Sequence, residues 1–171
     1  MKIRIIGCGN PLAGDDGLGI YAARKLAEMK LPEGVEVVEA GTPGLGLLSF
    51  LENADAVIIV DALKRGSPPG TLHRVEAREI IKEGKPLSAH DLGVEEALTL
   101  GFRLLPEKMP KKILIVGVEA GRVKSFREGL TQEVEKALPK LLELILKEVK
   151  RLLEGENGGP EGTHIQMGSS P

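Results

Sequence analysis

The run Ala56-Val57-Ile58-Ile59-Val60 is apolar at every position, so neither face of the strand it forms can meet water. Such a strand belongs in the middle of a parallel sheet that helices cover on both sides. The rest of the chain supplies its neighbours. Ile3 to Cys8 is a β-rich run stopped by Gly9-Asn10-Pro11, and Val35 to Ala40 is a second run, closed by Gly41. The central strand is read as Ala54 to Val60, and Lys112 to Val118 as another buried strand. From Thr71 to Ala77, Leu72, Arg74 and Glu76 alternate with His73 and Val75, the pattern of an edge strand. Helical patterns lie between these runs. Asp16 to Met29 places Leu18, Ala22, Leu26 and Met29 on one face, and Thr42-Pro43 caps a helix carrying Leu45, Leu48 and Leu51. Asp91 to Leu104 is a third helix, and Thr131 to Leu153 a long amphipathic one, bent near Pro139. Alternation of this kind predicts a three-layer α/β/α sandwich with a mostly parallel, twisted sheet and one antiparallel edge strand.

A chain of 171 residues suits one domain with a substantial core better than two. That α/β domain is expected over 1–153. From 154 to 171 periodicity is lost, in Gly155-Glu156-Asn157-Gly158-Gly159-Pro160 and onwards, which reads as a mobile tail or an addition to the natural chain. One cysteine excludes an intrachain disulfide framework and a Cys-only zinc cluster, and suits a reducing compartment. A net charge of -2 gives no basic excess to draw nucleic acid, and 2% aromatic residues give no stacking surface for single strands. The N-terminus lacks the apolar core of a signal peptide, and no run approaches the ~20 apolar residues of a membrane span. A soluble, cytoplasmic protein without membrane insertion is expected.

The most informative stretch is Gly7-Cys8-Gly9-Asn10-Pro11-Leu12-Ala13-Gly14-Asp15-Asp16-Gly17-Leu18-Gly19. Strand, glycine-rich turn and helix start suggest a nucleotide-binding, Rossmann-like regulator. Yet Leu12 stands where the third glycine of that fingerprint belongs, and Asp15 and Asp16 fall where a pyrophosphate would sit. The same carboxylates suit the positive end of a helix as caps, and they can also hold a cation. Ligands of open parallel sheets bind beyond the carboxyl ends of the strands, where strand order reverses. Asp16 follows the first strand, and Asp61 follows Val60 at that same edge. His73 is assigned to a peripheral strand and His164 to the tail. That leaves His90, in Pro86-Leu87-Ser88-Ala89-His90-Asp91-Leu92-Gly93, as the histidine near the edge. Asp16, Asp61 and His90 would offer two carboxylates and an imidazole, with open positions, to Ni²⁺, Zn²⁺ or a similar ion. Taken singly, each is as well explained by a capping or structural role. Cys8, at the end of a buried strand with no adjacent base, reads as a packed thiol. No G-x-S-x-G elbow, H-E-x-x-H helix or phosphate loop is present.

Ile6 to Leu12 together with Gly14-Asp15-Asp16-Gly17-Leu18-Gly19 resembles the opening motif of the nickel–iron hydrogenase maturation endopeptidases. Glu39-Ala40-Gly41-Thr42, Val60-Asp61-Ala62, Ser88 to Gly93, Val116-Gly117-Val118-Glu119 and Gly129-Leu130-Thr131 resemble the family's later blocks, in the same order, over about residues 1–153. The resemblance implies a protease that trims the C-terminal extension from a hydrogenase large-subunit precursor after nickel insertion. It implies that Asp16, Asp61 and His90 bind the metal, as nickel supplied by the precursor or another divalent ion in its place. The first of these is commonly Glu in relatives, and Asp is shorter by one methylene. A non-catalytic hydrogenase assembly chaperone of the same fold is the alternative.

Overall fold

The computed structural model describes residues 1–83, 93–121 and 128–155. Five strands, β1 (Ile3–Cys8), β2 (Val35–Gly41), β3 (Ala56–Leu63), β4 (Leu72–Glu76) and β5 (Lys112–Glu119), form one sheet in the order β2-β1-β3-β5-β4. Neighbours run parallel except β4, which pairs antiparallel with β5 at the sheet edge. The helices are α1 (Leu18–Ala27), α2 (Leu47–Leu51), α3 (Ala77–Glu83), α4 (Val94–Leu104) and α5 (Gln132–Leu153). Every residue of β3 is buried, as the apolar run Ala56 to Val60 requires, and Asp61 is buried with it.

Alternation along the strands sorts the core into two layers. Ile3, Ile5, Ile58 and Val60 face α1 and α5, whose Leu18, Leu26, Val134, Leu141 and Ile145 close one side. Ile6, Val57, Ile59 and Ile115 face the other way, onto Leu47, Leu51 and Leu98 of α2 and α4. The predicted sandwich with its antiparallel edge strand is the observed one.

The boundaries depart from expectation in ways that matter below. β3 runs three residues past Val60, so Asp61 lies inside the strand rather than after it. Its pairing with β1 ends at Gly7↔Val60, but β5 continues alongside as Asp61↔Gly117, Ala62↔Val118 and Leu63↔Glu119. The helix expected from Asp16 opens as a 3-10 turn, Gly14–Gly17, before α1 begins at Leu18. After β2, a 3-10 turn at Gly44–Gly46 precedes a five-residue α2 whose N-cap is Gly46, so Thr42-Pro43 does not cap it. α3 starts directly at the end of β4, where the sequence reading ends its strand at Ala77 and assigns no element to 78–83. α5 continues unbroken across the exposed Pro139. The segment expected to carry the start of α4, the His90 loop and the tail from 156 lie outside the described residues. No helix among the described residues is long and apolar enough to cross a membrane.

Candidate functional site

β1 connects to β2 on one side and, through β2, the chain returns to β3 on the other, so strand order reverses at the carboxyl end of β1. Gly9 makes the turn there. Its φ is 125°, its N–H donates to the Gly41 carbonyl at 2.7 Å, and a Cβ would stand 1.8 Å from the Asp16 carbonyl oxygen. Only glycine lets the loop fold back so tightly. The Asn10 carbonyl accepts the Ala13 N–H at 3.0 Å and its side-chain oxygen accepts the Leu12 N–H at 3.0 Å. The returning 3-10 turn presents Asp16, whose Oδ2 accepts the Asn10 N–H at 2.8 Å. Gly19 brings α1 against the sheet, since a Cβ on it would lie 2.2 Å from the Cys8 carbonyl oxygen and 2.3 Å from that of Val60. The distance between the Asp16 turn and β3 is thus set by backbone contact.

Asp61 shares the sheet face of Val57, Ile59 and Leu63, beneath α2 and α4. Its Oδ1 accepts the Ala62 N–H at 2.8 Å, and it is as buried as Asp16, each only 2% exposed. Burial holds the Asp61 carboxyl well above the usual carboxylate range. The Asp16 charge pushes it further, the Ala62 amide opposes, and Glu95 at the start of α4 adds a smaller push. The structure therefore brings Asp16 and Asp61 into one desolvated field at the switch point. His90 lies outside the described residues, and among those described no three His, Cys, Asp or Glu side chains group closely enough to hold a metal ion.

Asp15 proves to have a different role from its neighbour. Fully buried, it accepts the N–H of Gly121 at 2.9 Å, the N–H of Thr131 at 2.7 Å and the Thr131 hydroxyl at 2.9 Å. His73 stands on the edge strand, as expected, yet it is buried, with Nε2 3.0 Å from a Glu119 oxygen. Glu119 in turn accepts the backbone N–H groups of Arg65 at 2.9 Å and Ser67 at 3.3 Å, which hold the loop leaving β3. Glu95, Glu119 and the split between Asp15 and Asp16 were not found by sequence reasoning. A carboxylate near the start of a helix, as Glu95 is, or at the end of a strand, as Glu119 is, reads as solvated until the fold shows what covers it.

The HycI family model, described as hydrogenase maturation protease, matches residues 20–148, a span that takes in Asp61 and His90 and begins after Asp16. The chain belongs to the hydrogenase maturation protease family. It is 33% identical over 149 residues to the hydrogenase 2 maturation protease of Escherichia coli, covering 85% of this chain and 89% of that one. The solved structure of the hydrogenase maturating endopeptidase HybD from E. coli superimposes with a TM-score of 0.78 at 28% identity, over 89% of this chain and 94% of that one. The NiFe hydrogenase maturation protease HybD from Thermococcus kodakarensis does so at 0.69 and 29%, over 86% and 99%. For a maturation protease, Cys8 is an unpromising nucleophile. It is 2% exposed in the layer under α2 and α4, and burial, with Asp61 and Asp16 adding, pushes its thiol well above the usual range. A protonated, desolvated thiol does not attack a peptide bond.

Proposed function

We propose that this hydrogenase maturation protease is the endopeptidase that removes the C-terminal extension of a nickel–iron hydrogenase large-subunit precursor once nickel has been inserted. The observation that carries the reading is the pair Asp16 and Asp61, two buried carboxylates, one on the 3-10 turn and one inside β3, in one field at the switch point. Two desolvated like charges are unfavourable unless a cation or a proton compensates. Oxygen and imidazole donors suit a borderline divalent ion, and His90 is assigned as the third donor through the family motif. The metal belongs to the substrate: nickel carried by the precursor is what the three side chains engage. It also supplies Lewis-acid polarisation of the scissile carbonyl. Asp16 and Asp61 hold two carboxyl groups out of water, where an incoming cation takes the place of a proton, and so distinguish a loaded precursor from an empty one.

The test is mass spectrometry of a nickel-loaded precursor before and after incubation with wild-type protein and with Asp16→Asn, Asp61→Asn and His90→Ala. Wild type shortens the precursor by one C-terminal fragment, and each variant slows this at least about a hundredfold. A precursor that binds stably but keeps its length would make the protein an assembly chaperone. Normal processing by all three variants would remove the site assignment.

A further inference from the structure

Asp15 and Asp16 are adjacent acids on one 3-10 turn, and the turn points them to opposite duties. Asp16 meets Asn10 beside the switch point, at 2.8 Å. Asp15 turns away and gathers partners from two distant stretches of chain: Gly121, just beyond β5, and Thr131, the N-cap of α5. Both of its oxygens are used, Oδ1 by the Thr131 N–H at 2.7 Å and Oδ2 by the Gly121 N–H at 2.9 Å. The Thr131 hydroxyl lies 3.1 Å from the first and 2.9 Å from the second. The site closes tightly around it, with the Cβ position of Gly121 only 3.4 Å from Oδ2 and in contact with Pro69. A fully buried carboxylate holding several N–H and O–H donors has one orientation available. Since Asp16 is the next residue, that orientation also fixes the aim of its carboxylate.

We propose that Asp15 is a positioning residue for the metal-engaging carboxylate. It acts through Asp16 and touches neither metal nor substrate, and its anchors are the β5 end and the first turn of α5. The inference rests on the proposed engagement of a divalent ion by Asp16. Outer partners that orient a ligand commonly set metal affinity as strongly as a weaker ligand would. Asp15→Asn keeps the shape but presents N–H₂ to a backbone N–H, so one anchor must let go.

The experiment combines Cd²⁺ titration of the metal-free full chain with the ¹⁵N amide resonance of Asn10, whose N–H reports the Asp16 carboxylate directly. The control is Val149→Ala, a buried change in the last turns of α5 that costs stability far from the turn. Asp15→Asn should weaken Cd²⁺ binding about ten- to hundredfold and shift the Asn10 amide. Val149→Ala should do neither at a comparable loss of Tm. If Asp15→Asn does not fold, Thr131→Val removes only the hydroxyl contacts and should move both readouts in the same direction by less. Unchanged Cd²⁺ affinity with an unmoved Asn10 amide would overturn the proposal, as would equal effects from Val149→Ala. If wild type binds no Cd²⁺, the metal reading falls and the Asn10 amide alone decides whether Asp15 aims its neighbour.

Discussion

Asp61 carries an expected outcome that separates function from stability. Its carboxyl binds a proton more tightly in the fold than in the unfolded chain, where a carboxyl titrates near ~3.9. The folded state therefore holds more protons than the unfolded state between those two pKa values. Stability must fall as pH rises through that window, and it is regained on acidification. Asp61→Asn removes the charge and keeps the shape. The metal-free variant should melt higher than wild type at neutral pH, and the gain should shrink towards pH 4, as urea melts at stepped pH in chelator would show. The same variant should not process precursor. A lower Tm for Asp61→Asn at neutral pH would contradict this. Cys8 gives the opposite case: Cys8→Ser should leave precursor cleavage, followed by mass spectrometry, within about threefold of wild type, because a buried protonated thiol does no chemistry. Neighbouring residues of one type show what a sequence conceals. Asp15 and Asp16 are chemically equivalent on paper, and only the phase of a four-residue 3-10 turn sends one to Thr131 and the other to Asn10.

At the level of helices and strands, the contact between α1 and the sheet decides the geometry of the switch point. Gly19→Ala would drive a methyl into the Cys8 and Val60 carbonyl oxygens, which are backbone atoms and cannot swing aside. A stability loss of about 1–3 kcal/mol is expected from such overpacking. Precursor cleavage should fall further than the loss of folded protein explains, because α1 lifts and takes the Asp16 turn with it. Denaturant melts and cleavage rates on the same preparation would check this, and intact cleavage in a destabilised variant would refute it. Strand identity was legible because β1, β3 and β5 carry mostly apolar runs, and β2 sets Val35, Val37 and Val38 ahead of the breaker Gly41. Strand length was less so: reading β3 stops at the charge of Asp61, whereas the real strand continues because Gly117 of β5 lies opposite. That partner is invisible to local pattern. α3 was hidden for a related reason, since Ala77 follows β4 with no turn residue to announce a change of period. The 3-10 turn at Gly44–Gly46 stands where helix was expected because Gly44, with a φ of 56°, interrupts the helical backbone.

The whole molecule is folded around its charged pair rather than by it. Both apolar layers are built from hydrophobic side chains that neither acid belongs to, so chelation should leave the cooperative melt intact, while a divalent ion that binds only the folded state should raise it. At a free concentration of about a hundred times its Kd, Cd²⁺ would add about 2.7 kcal/mol, or roughly 5–10 °C in Tm for a chain of this size. Scanning calorimetry should show that increment in wild type and lose it in Asp61→Asn. The topology of the sheet was readable from the alternation of elements. The closing of the site was not, because it depends on contacts between ends of the chain. Those contacts also order events in time. The donors that fix the Asp16 turn come from Gly121 and Thr131, 106 and 116 residues further along. During synthesis the turn leaves the ribosome early and waits, without its anchor, until residue 131 of 171 has followed. Loops closed over such separations form late in folding. A chain whose last helix has not yet been made can thus possess both acids and still lack the contacts that hold their turn in place.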